Sequence, residues 1–331
     1  SPAEREQAGL ALAAIGARNF YQPVLRLLAD ADPAVRRAGL QAAAAMRAPE
    51  LVPALVYRLA RRETAQAAAE ALGAYGPGTE RVLEKVLQNP AEDPEVRRNA
   101  PRALGRLATP EATALLVRHL DDPDAALRRQ VDLALSRLAR LHPEVPISRE
   151  RVRRAALLEL ERAFRALAAA QALGLEPDPV RAPPPGDARA QARHVLAWAL
   201  RERADHAAER ACHLLSALLP GADLDLALAS LRDPAPGRRA GALEFLDTVL
   251  DRAMKRRLVP LLDGRSREAA LRDGAGFFAV PRLEGQAWLG ALLGDDSPWI
   301  AAAALGFAAA EGAAVPGSGL AAMLGHPVPY V

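Results

Sequence analysis

The sequence predicts an all-α protein, an α-solenoid of stacked helical hairpins with a long central helical hairpin, and three observations predict it. Half of the 331 residues are hydrophobic but only 4% are aromatic. The apolar content is therefore mostly Ala and Leu, which favour helix over strand. A small-residue ladder recurs at a nearly constant step, since Ala11-Leu12, Ala42-Ala43, Ala71-Leu72, Ala103-Leu104 and Ala134-Leu135 lie 31, 29, 32 and 31 residues apart. Finally, Asp-Pro or Ser-Pro pairs punctuate the chain at Asp32-Pro33, Asp93-Pro94, Asp122-Pro123, Asp233-Pro234 and Ser297-Pro298. Asp and Ser accept hydrogen bonds from the free amides of a new helix, and Pro fits the first turn, so each pair predicts a helix start.

After these starts the apolar residues fall at helical spacing, as in Val96, Ala100, Ala103, Leu107 and in Leu127, Val131, Ala134, Leu138. A second apolar segment follows within the period: Leu51, Val52, Leu55, Val56, Leu59 in one repeat and Val82, Leu83, Val86, Leu87 in the next. Two helices of about a dozen residues with two short turns fill each period, and such a hairpin buries its apolar face only against its neighbours. The third repeat opens at Arg61-Arg62-Glu63-Thr64 without an Asp-Pro pair, and Pro101 falls inside a predicted helix, where a kink is expected.

The register stops near residue 141. Ser148 predicts the cap of a helix running through Leu173, and Asp187 that of another through Leu219. Gly174, Pro177, Pro179 and Pro183-Pro184-Pro185 turn the chain between them. At about 1.5 Å per residue these helices reach roughly 40 and 48 Å. The predicted organisation is thus repeats over 1–140, a long hairpin over 141–232 with a Pro-rich turn near 175–187, and repeats over 233–331. The hairpin either projects from the stack or replaces repeats within it. His326-Pro327-Val328-Pro329-Tyr330-Val331 reads as the opening of one more repeat, so further repeats are expected after Val331.

Asp32-Pro33-Ala34-Val35-Arg36-Arg37-Ala38 with Leu51-Val52-Pro53-Ala54-Leu55, and Asp93-Pro94-Glu95-Val96-Arg97-Arg98 with Ala103-Leu104-Gly105, resemble HEAT repeats of the short PBS-lyase type. Ala242-Leu243-Glu244-Phe245-Leu246-Asp247 and Leu258-Val259-Pro260-Leu261-Leu262-Asp263, with Glu209-Arg210 and Leu214-Leu215, are similar to the HEAT region of bacterial ADP/ATP-carrier-like transporters, although Thr248 stands where that pattern has Asn. The first resemblance implies a non-catalytic scaffold or protein-interaction module. The second implies the cytosolic regulatory or assembly portion of a larger membrane protein, whose partner is another protein or a membrane domain in cis. Other HEAT-like proteins suggest two alternatives, a nucleic-acid repair enzyme of the DNA glycosylase type and a bilin-lyase-like chaperone.

Composition removes several classes. The single cysteine, Cys212, excludes internal disulfides and Cys-based zinc sites. A cytoplasmic location is expected, on the cytosolic face of a membrane if the carrier resemblance holds. The formal net charge is only +3, with 43 basic and 40 acidic residues, which argues against nucleic acid as the partner. Residues 283–331 hold no Lys or Arg. There is no GxGxxG, P-loop, GxSxG or HExxH motif, and no catalytic residue, cofactor or metal is assigned. His206, Glu209 and His213 share a helical face beside Cys212, but i and i+7 lie about 10 Å apart along the axis, too far for two rings to reach one ion.

Two dense cationic clusters are the candidate anion or partner surface: Arg149, Arg151, Arg153 and Arg154, and Arg252, Lys255, Arg256 and Arg257. Both stand near predicted helix N-termini, where cations oppose the helix dipole and an anion or acidic partner would relieve the conflict. The recurrent pairs Arg36-Arg37, Arg97-Arg98, Arg128-Arg129 and Arg238-Arg239 read as a structural ladder bonding helix-start Asp residues or carbonyls. Trp198, Trp288 and Trp299 are expected to pack in the core or between repeats.

Overall fold

The computed structural model describes residues 1–176, 183–184, 186–219, 221–233, 235–264 and 266–314. These residues form seventeen α-helices and no strand. They divide into two compact units, one of Ser1–Arg153 with Leu214–Gly221, the other of Arg154–His213 with the described residues from Ala222 onward. The expected repeat opening at 326–331 and most of the Pro-rich turn lie outside the described residues.

In the first unit, α1 (Pro2–Ile15), α3 (Pro33–Met46), α5 (Ala65–Ala74), α7 (Pro94–Leu107) and α9 (Ala125–Leu141) each pack on the next, with starts 31, 32, 29 and 31 residues apart. The shorter α2 (Tyr21–Leu28), α4 (Val52–Arg58), α6 (Thr79–Gln88) and α8 (Pro110–Arg118) close the hairpins. The predicted stripes are the core: Val96, Ala100, Ala103 and Leu107 of α7 are buried, as are Leu127, Val131, Ala134 and Leu138 of α9. Adjacent long helices touch through small side chains. A Cβ added at Gly105 would stand 3.0 Å from Ala134 Cβ and 3.2 Å from its Cα, so α9 would have to give by a few tenths of an ångström to admit it.

Asp32 and Asp93 cap as expected, their carboxylates accepting from Ala34 N–H and Glu95 N–H at 2.8 Å. The Asp122-Pro123 start is corrected by two residues. Asp124 is the cap, accepting from Ala126 and Leu127, while buried Asp122 accepts from the Asp124 N–H and meets His119 Nδ1 at 3.1 Å. Burial opposes the charge on Asp122, but these bonds and the Arg97 guanidinium hold its carboxyl below the ordinary value. At Asp233 the helix likewise begins later, at Pro236, with Asp233 accepting from Ala235 N–H. Helix α7 runs on through the buried Pro101. Where no Asp-Pro opens a repeat, Thr64 turns the chain by donating its hydroxyl to the Arg58 carbonyl.

The arginine pairs do form a ladder. Arg36 donates to the carbonyls of Asp30 and Ala31, Arg128 to those of Asp122 and Pro123, and Arg97 to that of Leu87. These are the same register position, and each ties the first turns of its helix to a preceding loop or helix end. The second arginine of one pair reaches across repeats, Arg98 Nε lying 2.7 Å from the Asp124 cap.

The long helices α10 (Arg149–Ala172) and α11 (Ala188–Leu218), most of which belongs to the second unit, start directly after Ser148 and Asp187, the latter accepting from Ala190 N–H at 2.9 Å. They run antiparallel, since Arg193, near the start of α11, donates to the Gly174 carbonyl just past the end of α10, while Arg210, later in α11, pairs with Glu159, earlier in α10. Of the two arrangements left open for the long hairpin, residues 154–213 do not project from this unit: they supply much of its core. Ala163, Ala166, Ala170, Leu196 and Leu200 close over Trp288 of α16 (Gly285–Leu293) and Phe307 of α17 (Pro298–Glu311). Buried Glu159 is held by Arg162 and Arg210, and Asp296 by Arg162 and Arg203. The remaining helices are α12 (Leu224–Leu231), α13 (Pro236–Val249), α14 (Arg252–Leu262) and α15 (Arg267–Gly274).

Candidate interaction surfaces

The cluster on α14 begins beside Asp251, whose carboxylate accepts from Met254 N–H at 2.8 Å and offsets the opposition of nearby cations to the helix dipole. Arg252 and Arg256 are exposed, and Lys255 pairs with Asp247 at 2.9 Å. Arg257 lies 4.9 Å from the Phe277 ring centroid and 5.8 Å from that of Phe278, and Arg256 lies 6.0 Å from Phe277. Phe278 stacks on the buried Phe164 at 5.4 Å, so this aromatic step is anchored in the core. Its outer ring, Phe277, is 39% exposed. Gly274 leaves room for the step, because a Cβ there would clash with the Phe164 ring. The surface therefore offers guanidinium groups over an exposed ring, suited to acidic and apolar side chains together.

Sequence reasoning missed the aromatic half of this surface. Its signal was the adjacent pair Phe277-Phe278 in a chain with six phenylalanines, but Phe164 lies more than a hundred residues away. The other predicted cluster, Arg149, Arg151, Arg153 and Arg154, is exposed at the start of α10, with the unit boundary falling between Arg153 and Arg154. The structure assigns the first three to one unit and the fourth to the other.

The tryptophans divide. Trp288 is core at 3% exposure, while Trp198 is 46% exposed and Trp299 50%, so of the three only Trp288 is buried, where packing in the core or between repeats was expected. Trp198 lines a cleft of about 550 Å³ with Arg201, Glu202, Asp205, Arg232 and Arg239. Carboxylates and guanidiniums are interleaved in that cleft, as in the Glu209–Arg232 pair at 2.6 Å. His213 serves structure, its Nδ1 lying 2.9 Å from Asp225 and its Nε2 3.6 Å from Glu209. Cys212 is fully buried, and desolvation pushes its thiol up to about 12, which keeps it from acting as a thiolate. Among the described residues, no group of three or more His, Cys, Asp or Glu side chains is placed to hold a metal ion, and no helix is long and apolar enough to cross a membrane.

No curated protein matches the sequence. Among solved structures, the chain is similar to an engineered protein from the Northeast Structural Genomics Consortium, at 19% identity over 75% of this chain and 92% of that one, with a TM-score of 0.21. Residues 55–136, from α4 into α9, match the family model of HEAT repeats, in keeping with the hairpin stack of the first unit over that span.

Proposed function

We propose that this chain is a non-catalytic protein-interaction scaffold that docks an acidic and apolar partner segment on the α14 surface. The observation that carries this reading is Phe277, an exposed ring flanked by Arg256 and Arg257 and anchored through Phe278 on Phe164. Arginine and large aromatics are the side chains that dominate binding energy at protein interfaces. The fate of the chemically versatile groups points the same way: Cys212 is sealed, His213 bridges two carboxylates, and Glu159 is neutralised by arginines. The interleaved charges of the Trp198 cleft favour a scaffold over a lesion-binding cleft, which needs a basic lining. Affinity capture with the full chain tests the reading. Wild type is expected to retain one protein near stoichiometry, and Arg256→Glu with Phe277→Ala to retain about tenfold less. Identical recovery with both forms contradicts it.

A narrower reading makes the chain the cytosolic assembly or regulatory part of a nucleotide-carrier-like membrane protein. Its support is the similarity of residues 242–263. In the fold, Leu246 and Leu258 of that segment are buried and Thr248 donates its hydroxyl to the Glu244 carbonyl. The gene upstream of Ser1 decides it: the reading requires apolar segments of about 20 residues there, and their absence rejects it.

A further inference from the structure

We infer a second docking site, a carboxylate-binding pocket on the exposed face of α5, α7 and α9, formed by Arg102, Arg106 and Arg137. The three line a pocket of about 230 Å³ with Gln66, Gln130 and Leu133, floored by Gly105 and Ala134. Two of the guanidinium groups are preorganised. Arg102 Nε donates to Gln130 Oε1 at 2.8 Å, and Arg106 donates to Glu70 at 2.9 Å. Positive charge exceeds negative charge at the pocket. Burial, then the nearby charges of Arg137 and Arg102, destabilise the cationic form of Arg106, and Glu70 compensates only in part. An incoming carboxylate would relieve this crowding, and its planar oxygens match the guanidinium fork.

The site is written in the repeat register. Arg106 and Arg137 each stand two residues after the Leu of an Ala-Leu pair, 31 residues apart, where earlier repeats have Ala45 and Ala74. The position thus changes from alanine to arginine only at α7 and α9. The ladder arginines Arg36, Arg97 and Arg128, in contrast, each donate to a backbone carbonyl.

The occupant is an acidic segment of a protein partner. Leu133 is 37% exposed at the rim and offers an apolar contact beside the charges, and the pocket is discrete, whereas a nucleic acid would require a continuous basic stripe. Taking the ligand to be a protein segment rests on the scaffold reading. The pocket itself does not.

Fluorescence anisotropy with the full chain and a short Glu-rich peptide carrying one central Leu tests the inference. Binding is expected, weakened at least about tenfold by Arg137→Glu and by Arg102→Gln, with thermal unfolding unchanged. Arg140→Glu, an exposed charge on the same helix outside the pocket, is expected to change affinity by less than about twofold. No binding, equal loss with Arg140→Glu, or equal binding of the peptide with Gln in place of Glu would overturn the pocket. Duplex DNA binding that outcompetes the peptide and is lost in Arg137→Glu would keep the pocket and overturn its protein ligand, and with it the scaffold reading.

Discussion

In the first unit the stacked helices meet through glycine and alanine, as at Gly105 against Ala134, whereas in the second the long helices close around Trp288 and Phe307 and neutralise Glu159 internally. Small residues at fixed positions let one hairpin sit on the next at a constant step, so the arrangement is periodic and the sequence must be periodic too. A core built on a few large rings needs no repeat. It needs particular partners, contributed by segments far apart in the chain. Charge differs in one respect: in the first unit Arg36, Arg97 and Arg128 bond backbone carbonyls at a repeated position, while in the second unit Arg162 and Arg210 meet at the buried Glu159.

The contrast is broken most severely at the buried ion pair. Glu159→Ala removes the buried carboxylate that Arg162 and Arg210 share and is expected to destabilise the second unit by about 3–5 kcal/mol in chemical denaturation. Trp288→Ala is expected to have a similar effect, about 3–5 kcal/mol, by opening a cavity among Ala166, Leu200 and Ile300. Trp198→Ala, on an exposed ring, should stay within about 0.5 kcal/mol of wild type; equal losses for the two tryptophans would remove the distinction drawn between them.

Gly105→Val tests the first unit. The added side chain must displace α9 from α7, and a loss of about 1–3 kcal/mol is expected, with hydrogen exchange rising first along those two helices. A neutral substitution would show that the stack is not set by close approach.

A smaller effect is expected at the end of α17. Hydrogen bonds from Arg189 and Arg193 to Glu311 lower its carboxyl from the ordinary 4.5 to about 2. A group whose folded-state value is depressed stabilises the fold above its unfolded value and ceases to as pH falls through the folded one. The stability difference between wild type and Glu311→Gln should therefore be constant above about pH 4.5 and vanish towards pH 2. A difference independent of pH over that window would contradict the pairing.

The sequence was most legible where one local interaction decides the structure. Asp32, Asp93, Ser148 and Asp187 mark helix starts because a cap needs only the chain beside it. The Asp122 start slipped because Asp121-Asp122-Pro123-Asp124 supplies several acceptors, and Arg128 and His119 fix the outcome from outside that run. The interaction surfaces were less legible. Phe164, Phe277 and Phe278 meet only through tertiary packing, and neither the exposure of Trp198 nor that of Trp299 follows from a helical period when the neighbouring helices are unknown. Arg102, Arg106 and Arg137 could have been found, since the 31-residue step aligns two of them, but the doubled arginines of the ladder gave the louder signal.

The first unit carries two kinds of arginine, one holding the repeats together and one left for a partner. Arg128→Ala and Arg137→Ala, measured side by side for stability and for binding of the Glu-rich peptide, test it most directly. Arg128→Ala is expected to lower stability by about 1–3 kcal/mol, while Arg137→Ala leaves stability within about 0.5 kcal/mol and weakens the peptide at least about tenfold. Unfolding by Arg137→Ala, or full peptide affinity in its presence, would contradict it.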